Sequence, residues 1–139
     1  MASRVDALLM DAPDILAIYD VLARYGHIVD DADWPRLSDV FTVDGVFDLE
    51  AIGRGSAAGL PELQACFAGL DHPLAHHTTN VTIEPVDGGR GRVRSKYLVV
   101  TDDGRARSGE YHDDVVLTAE GWRIERRTVV PRRPRRGRA

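Results

Sequence analysis

Apolar residues return every three or four positions through Ile15, Ile18, Tyr19, Leu22, Tyr25 and Val29, the spacing of one face of an amphipathic helix. Asp11, Pro13 and Asp14 mark its start, because a side-chain oxygen can cap the free N–H groups and acids suit the positive helix end. Gly26 loosens the last turn, and Asp30, Asp31 and Asp33 form an acidic cluster behind it. A second short helix is predicted over residues 34–41, capped by Asp33, and the chain then turns at Asp44-Gly45. Residues 46–51 set Phe47 and Leu49 against Asp48 and Glu50, the alternation of a half-buried strand. A glycine-rich loop follows over residues 53–59. Pro61 opens a third helix through Leu63, Phe67 and Leu70, ending near Asp71.

The rest of the chain is different in kind. Residues 75–86, 92–101, 105–117 and 122–130 read as four strands, separated by the turn sequences Asp87-Gly88-Gly89, Asp102-Asp103-Gly104 and Ala119-Glu120-Gly121. Helices at the front and an antiparallel meander behind predict an α+β domain, with one sheet face covered by helices and the other free or used to pair chains. Residues 1–10 are expected to be a flexible N-terminus, residues 11–130 the domain, and residues 131–139, with five arginines and two prolines, a disordered and solvated tail.

Composition narrows the classes. The chain has 139 residues, 43% hydrophobic and 29% charged, enough for one domain with a sizeable core. Its formal charge of −4 hides an asymmetry, since the five tail arginines leave residues 1–130 near −9. That body is unsuited to binding nucleic acid electrostatically. The single Cys66 excludes an intrachain disulfide and a cysteine zinc cluster, which suits a reducing cytoplasm. No apolar run approaches the roughly 20 residues of a membrane span, and residues 1–10, which include Asp6, are too short in apolar content for a signal peptide.

Candidate chemistry concentrates in residues 74–83, Leu-Ala-His-His-Thr-Thr-Asn-Val-Thr-Ile, where polar groups enter a β-branched run. Each buried polar atom needs a partner or costs roughly 1 to 3 kcal/mol, so a pocket explains them better than a core. On a regular strand His76, Thr78 and Asn80 share one side and His77, Thr79, Val81 and Ile83 the other. Only one histidine can then face the pocket, unless a bulge intervenes. Adjacent strand histidines diverge and no second ligand cluster accompanies them, so no metal is expected.

The order of these elements, with Arg24-Tyr25, residues 30–34, residues 37–41, residues 76–80, Gly109-Glu110-Tyr111-His112-Asp113 and Gly121-Trp122-Arg123-Ile124, resembles the SnoaL-like branch of the nuclear-transport-factor-2-like superfamily over about residues 12–130. The resemblance implies a cone, a curved sheet wrapped around three helices with a ligand pocket at the open end, and frequent homodimers. The branch includes polyketide cyclases, scytalone dehydratase and bile-acid dehydratase. Ketosteroid isomerase and the small subunit of ring-hydroxylating dioxygenases are relatives.

In its dehydratase-like members a tyrosine late in the first helix, an aspartate about five residues on and a histidine on the sheet form the active site. The matching positions are Tyr25, Asp30 and the pair His76 and His77. The spacing to Asn80 favours His76, while the face shared with Val81 and Ile83 favours His77. A carboxylate beside a histidine fixes the ring tautomer and stabilises the imidazolium that forms, and a phenol can donate to a developing oxyanion. The resemblance therefore implies a cofactor-free dehydratase or isomerase acting by proton abstraction beside a carbonyl on a small, largely apolar hydroxy-carbonyl compound such as a steroid or polyketide. A non-catalytic ligand-binding or subunit-assembly module of the same fold is the alternative. Trp34, Phe47, Phe67 and Tyr97 are candidate walls. Tyr111, Asp113 and Arg127 are candidate substrate-contacting residues, Tyr111 and Asp113 sharing a face, with Asp113 and Arg127 alternatively a structural ion pair. Leu98, Val100 and Val116, opposite Tyr97 and Val99, leave apolar area for a homodimer.

Overall fold

A computed structural model describes residues 10–133. The first helix, α1 (Ala12–Asp30), starts where the Asp14 backbone N–H donates to Asp11 Oδ1 at 2.9 Å. Its buried stripe is Ile18, Val21, Leu22, Tyr25, Ile28 and Val29. Ile15 and Tyr19 fall at the stripe's exposed edge, where the Tyr19 hydroxyl donates to the Val81 carbonyl at 3.4 Å. A 3-10 helix (Trp34–Asp39) replaces the expected second helix, and the Asp33 side chain makes no capping bond. The strand β1 (Phe41–Asp48) begins earlier than its alternation suggests and runs straight through Asp44-Gly45, which is not a turn. A register shift lies there instead, and a Cβ on Gly45 would come within 3.0 Å of the Thr42 carbonyl. After a second 3-10 helix (Glu50–Ile52), the glycine-rich stretch holds a three-residue strand, β2 (Ser56–Ala58), and leads into α2 (Leu60–Gly69).

Four long strands follow close to their expected bounds: β3 (Ala75–Asp87), β4 (Arg90–Val100), β5 (Ala106–Thr118) and β6 (Gly121–Pro131). They form one curved sheet in the order β2-β1-β6-β5-β4-β3. The meander is antiparallel, but β1 pairs with β6 in parallel, because β1 reaches that edge through the rest of the chain rather than through a hairpin. The core lies between the helices and the concave face: Ile18, Leu37, Leu63, Phe67 and Ile124 are fully buried. At the start of α1, Trp122 Nε1 on β6 donates to Asp14 Oδ1 at 2.9 Å, fixing the helix to the sheet.

Both expected ends need correction. Met10, assigned to a flexible N-terminus, is buried, and its side chain occupies the space a Cβ on Gly91 would fill. At the other end β6 includes Pro131, and the Arg132 backbone N–H donates to the Ser108 carbonyl at 3.0 Å. The remainder of the expected tail, residues 134–139, and residues 1–9 lie outside the described residues. No described helix is long and apolar enough to cross a membrane.

Candidate active site

Which histidine faces inward is decided by a bulge. Thr79 pairs with Lys96 and Thr82 with Arg94, so β3 carries one extra residue there, and Asn80 adopts a left-handed φ of 52° to accommodate it. The extra residue exchanges faces: His76 and Thr78 before it, and Val81 and Ile83 after it, all point to the concave side. The two sequence arguments, which favoured different histidines, are thereby reconciled in favour of His76. His77 is exposed on the outer face, which removes it from the site.

Close approach of α1 to β3 sets the next contact. Gly26 faces the His76 backbone, where a Cβ would sit 3.3 Å from the His76 carbonyl oxygen. One turn later Asp30, the last residue of α1, meets the same residue twice. The His76 backbone N–H lies 3.1 Å from each Asp30 carboxylate oxygen, and His76 Nδ1 lies 2.6 Å from Oδ1. Because a carboxylate only accepts, Nδ1 carries the proton and Nε2 keeps its lone pair. The His76 side chain is 8% exposed and that of Asp30 25%. Burial pulls the His76 imidazole below its ordinary value of 6.5, against the upward pull of Asp30, so the ring is a neutral base at neutral pH.

Tyr25 stands edge-on to His76, with ring centroids 6.2 Å apart. Its phenol, 2% exposed, is pushed by burial up to about 12, although Arg127 and Tyr111 oppose the rise. It is therefore a protonated donor at neutral pH. Behind it the Arg127 guanidinium carbon sits 4.2 Å from the Tyr25 ring centroid and 3.8 Å from that of Tyr111. Arg127 Nε and Nη2 donate to the two Asp113 oxygens, each at 2.8 Å. Both side chains are wholly buried. Asp113 and Arg127 thus carry the tyrosine layer from beneath and do not line the cavity.

The cavity measures about 1120 Å³ and is lined at its inner end by Tyr25, His76 and Tyr111, with Phe47, Leu49, Tyr97, Val99 and Val129 along its walls. Trp34 and Phe67, expected as walls, sit one layer back. Phe67 stacks on Phe47 at 4.5 Å and on His72 at 5.8 Å, and Trp34 covers His72 at 5.3 Å. Tyr97 has its place because Gly109, its cross-strand partner, has no Cβ to collide with the ring.

Sequence reasoning missed His72, which lines the cavity with its ring 6.3 Å from that of His76 and its Nε2 2.7 Å from the Phe67 carbonyl oxygen. It also missed Arg54, Arg107, Arg132 and Arg133 at the mouth. His72, Arg54, Arg132 and Arg133 lie outside the periodic segments and Arg107 is an exposed strand residue, so no local pattern marks them. Among the described residues no three His, Cys, Asp or Glu side chains converge to hold a metal ion.

Comparison with solved structures returns the same architecture. A protein of Novosphingobium aromaticivorans provisionally named as an aromatic ring hydroxylase is 34% identical, with 89% of this chain and 92% of that chain aligned and a TM-score of 0.75. An NTF2-like protein with a cystatin-like fold from the same organism is 25% identical over 89% of this chain and 85% of its own, with a TM-score of 0.77. A third, provisionally named a scytalone dehydratase, is 22% identical over 90% and 94% of the two chains with a TM-score of 0.70, and shares the fold. No curated protein matches the chain. The SnoaL-like domain matches residues 10–128, nearly the whole described chain, and the protein belongs to that family.

Proposed function

We propose that this protein is a cofactor-independent dehydratase or isomerase for a largely apolar hydroxy-carbonyl compound such as a steroid or polyketide. The observation that carries the reading is the 2.6 Å contact between His76 Nδ1 and Asp30 in a ring that lines a large cavity. His76 Nε2 takes a proton from the carbon beside the substrate carbonyl, and the released electron pair moves onto the carbonyl oxygen. Tyr25 donates to that oxygen as charge builds. Collapse of the enolate expels the β-hydroxyl, which takes the proton now held on His76 Nε2 and leaves as water, giving an unsaturated carbonyl and restoring the neutral imidazole. Return of the proton to another carbon gives an isomer. The neighbour named for aromatic ring chemistry makes aromatic ketones worth including among substrates, since Phe47, Tyr97 and Tyr111 would stack on them.

A panel of β-hydroxy ketones and enolisable aromatic and steroid ketones in heavy water tests this. Mass spectrometry should find deuterium gained beside the carbonyl, or water lost, in at least one of them, and loss of that reaction in His76→Asn. A panel that binds but never exchanges refutes the reading. The rate should also fall on acidification with a midpoint below 6.5, because His76 loses its lone pair there. Stability moves the same way. The unfolded imidazole protonates near 6.5 and the folded one at lower pH, so this contribution is present above 6.5 and is lost as pH falls through that window.

Two copies pairing through the outer sheet face belong to the same proposal. Leu98 is 41% exposed there, and Val116 is half-buried on the same face. Light scattering at tens of micromolar (about the range where specific interfaces are populated) should return twice the chain mass, and a monomeric mass would overturn the pairing.

A further inference from the structure

We propose that the cavity takes molecules carrying an anionic group, held at the mouth by Arg54, Arg107, Arg132 and Arg133. On the proposed function, this narrows the substrate class to apolar compounds with a carboxylate, sulfate or phosphate at the end remote from the reacting carbonyl. The four arginines come from three separate segments: the loop after the second 3-10 helix, the start of β5, and the residues that follow β6. The last two are tied across the opening. The Arg132 backbone N–H donates to the Ser108 carbonyl, and Arg133 Nη2 reaches the Ala51 carbonyl at 3.4 Å.

Their charges are not held in ion pairs elsewhere in the described fold, though Arg107 lies close enough to Asp103 to help lower that carboxyl. Among the described residues seven other arginines pair with a carboxylate, at Arg24, Arg36, Arg90, Arg94, Arg105, Arg126 and Arg127, and none of these four does. The cavity lining includes a single carboxylate, Asp71. Residues 1–130 carry about −9, so this cationic rim is set into an otherwise anionic body. Four like charges around one opening repel each other, and an anion seated among them relieves that repulsion. A cleft with low-dielectric walls focuses such a field on incoming anions, and the guanidinium fork suits a carboxylate or phosphate. The inner end offers the opposite chemistry, phenols and a neutral imidazole between apolar walls. The bound molecule is thus amphipathic, with its charge outward.

Matched pairs of probes test this by calorimetry without any turnover: dehydroepiandrosterone sulfate against the parent steroid, and naphthoate against its methyl ester. In wild-type protein the anionic member should bind about tenfold more tightly at about 20 mM salt, and the advantage should shrink at about 500 mM. Arg54→Gln combined with Arg107→Gln and Arg132→Gln should abolish the advantage while leaving the neutral member's affinity and the melting temperature unchanged. Equal affinity within both pairs, or a preference that survives the three substitutions, overturns the proposal. His76→Asn separates it from the catalytic reading, because that variant should lose exchange activity and keep the full anion preference.

Discussion

Asp30→Asn should lower turnover by about 10²- to 10⁴-fold while ligand binding changes little. The substitution keeps the size of the side chain and its place at the end of α1, where it meets the His76 backbone N–H and ring. What changes is which ring nitrogen carries the proton. The carboxylate accepts from Nδ1 and leaves Nε2 as a base facing the cavity, whereas an amide N–H turned toward Nδ1 would favour the other tautomer and place the proton on Nε2. The imidazolium formed in the reaction also loses its counter-charge. Tyr25→Phe removes only the phenol and should cost roughly 10- to 1000-fold, the range for one oxyanion donor. Rates on a substrate found in the exchange panel, with dissociation constants measured in parallel, separate this from packing. If both variants turn over as fast as the parent and only the melting temperature moves, the site is a binding module and His76 is not a base.

Much of this arrangement is legible in the sequence because its signals are local. The four long strands alternate cleanly and are joined by glycine turns, and Tyr25 and Asp30 lie five residues apart at the end of a strongly periodic helix. The failures come from contacts made at long range. Asp44-Gly45 has turn composition, yet pairing with β6 holds it inside β1, with glycine permitting the close approach to Phe41 and Thr42. β2 is three residues long and exists through its partner β1. The bulge at Asn80 leaves no glycine to announce it, so strand alternation alone puts Val81 on the wrong face relative to His76. Arg132 and Arg133 read as a solvated tail from composition, and only closure of the sheet brings them to the cavity mouth.

Breaking the Asp113–Arg127 pair should be the most damaging single change to stability. Asp113→Ala leaves a guanidinium that is wholly buried and unable to neutralise itself, and the expected loss is about 3 to 5 kcal/mol of unfolding free energy. Arg127 Nη1 already lacks a hydrogen-bond partner among the described residues, with the Tyr25 and Tyr111 ring faces against the guanidinium, so no spare acceptor is at hand to take over. Replacing both residues, as Asp113→Leu with Arg127→Met, removes the charges together and should recover most of that loss, since apolar substitutes for buried ion pairs are often neutral or better. Urea unfolding of the three proteins measures the comparison. An Asp113→Ala midpoint equal to the parent's would mean that water reaches the pair and that the layer beneath the tyrosines is not closed. The recovered double variant then reports on function, because its Tyr25 ring no longer rests on a cation held by Asp113. Normal stability with turnover lowered as in Tyr25→Phe would assign the buried pair to positioning the phenol, whereas parental turnover would confine it to the core.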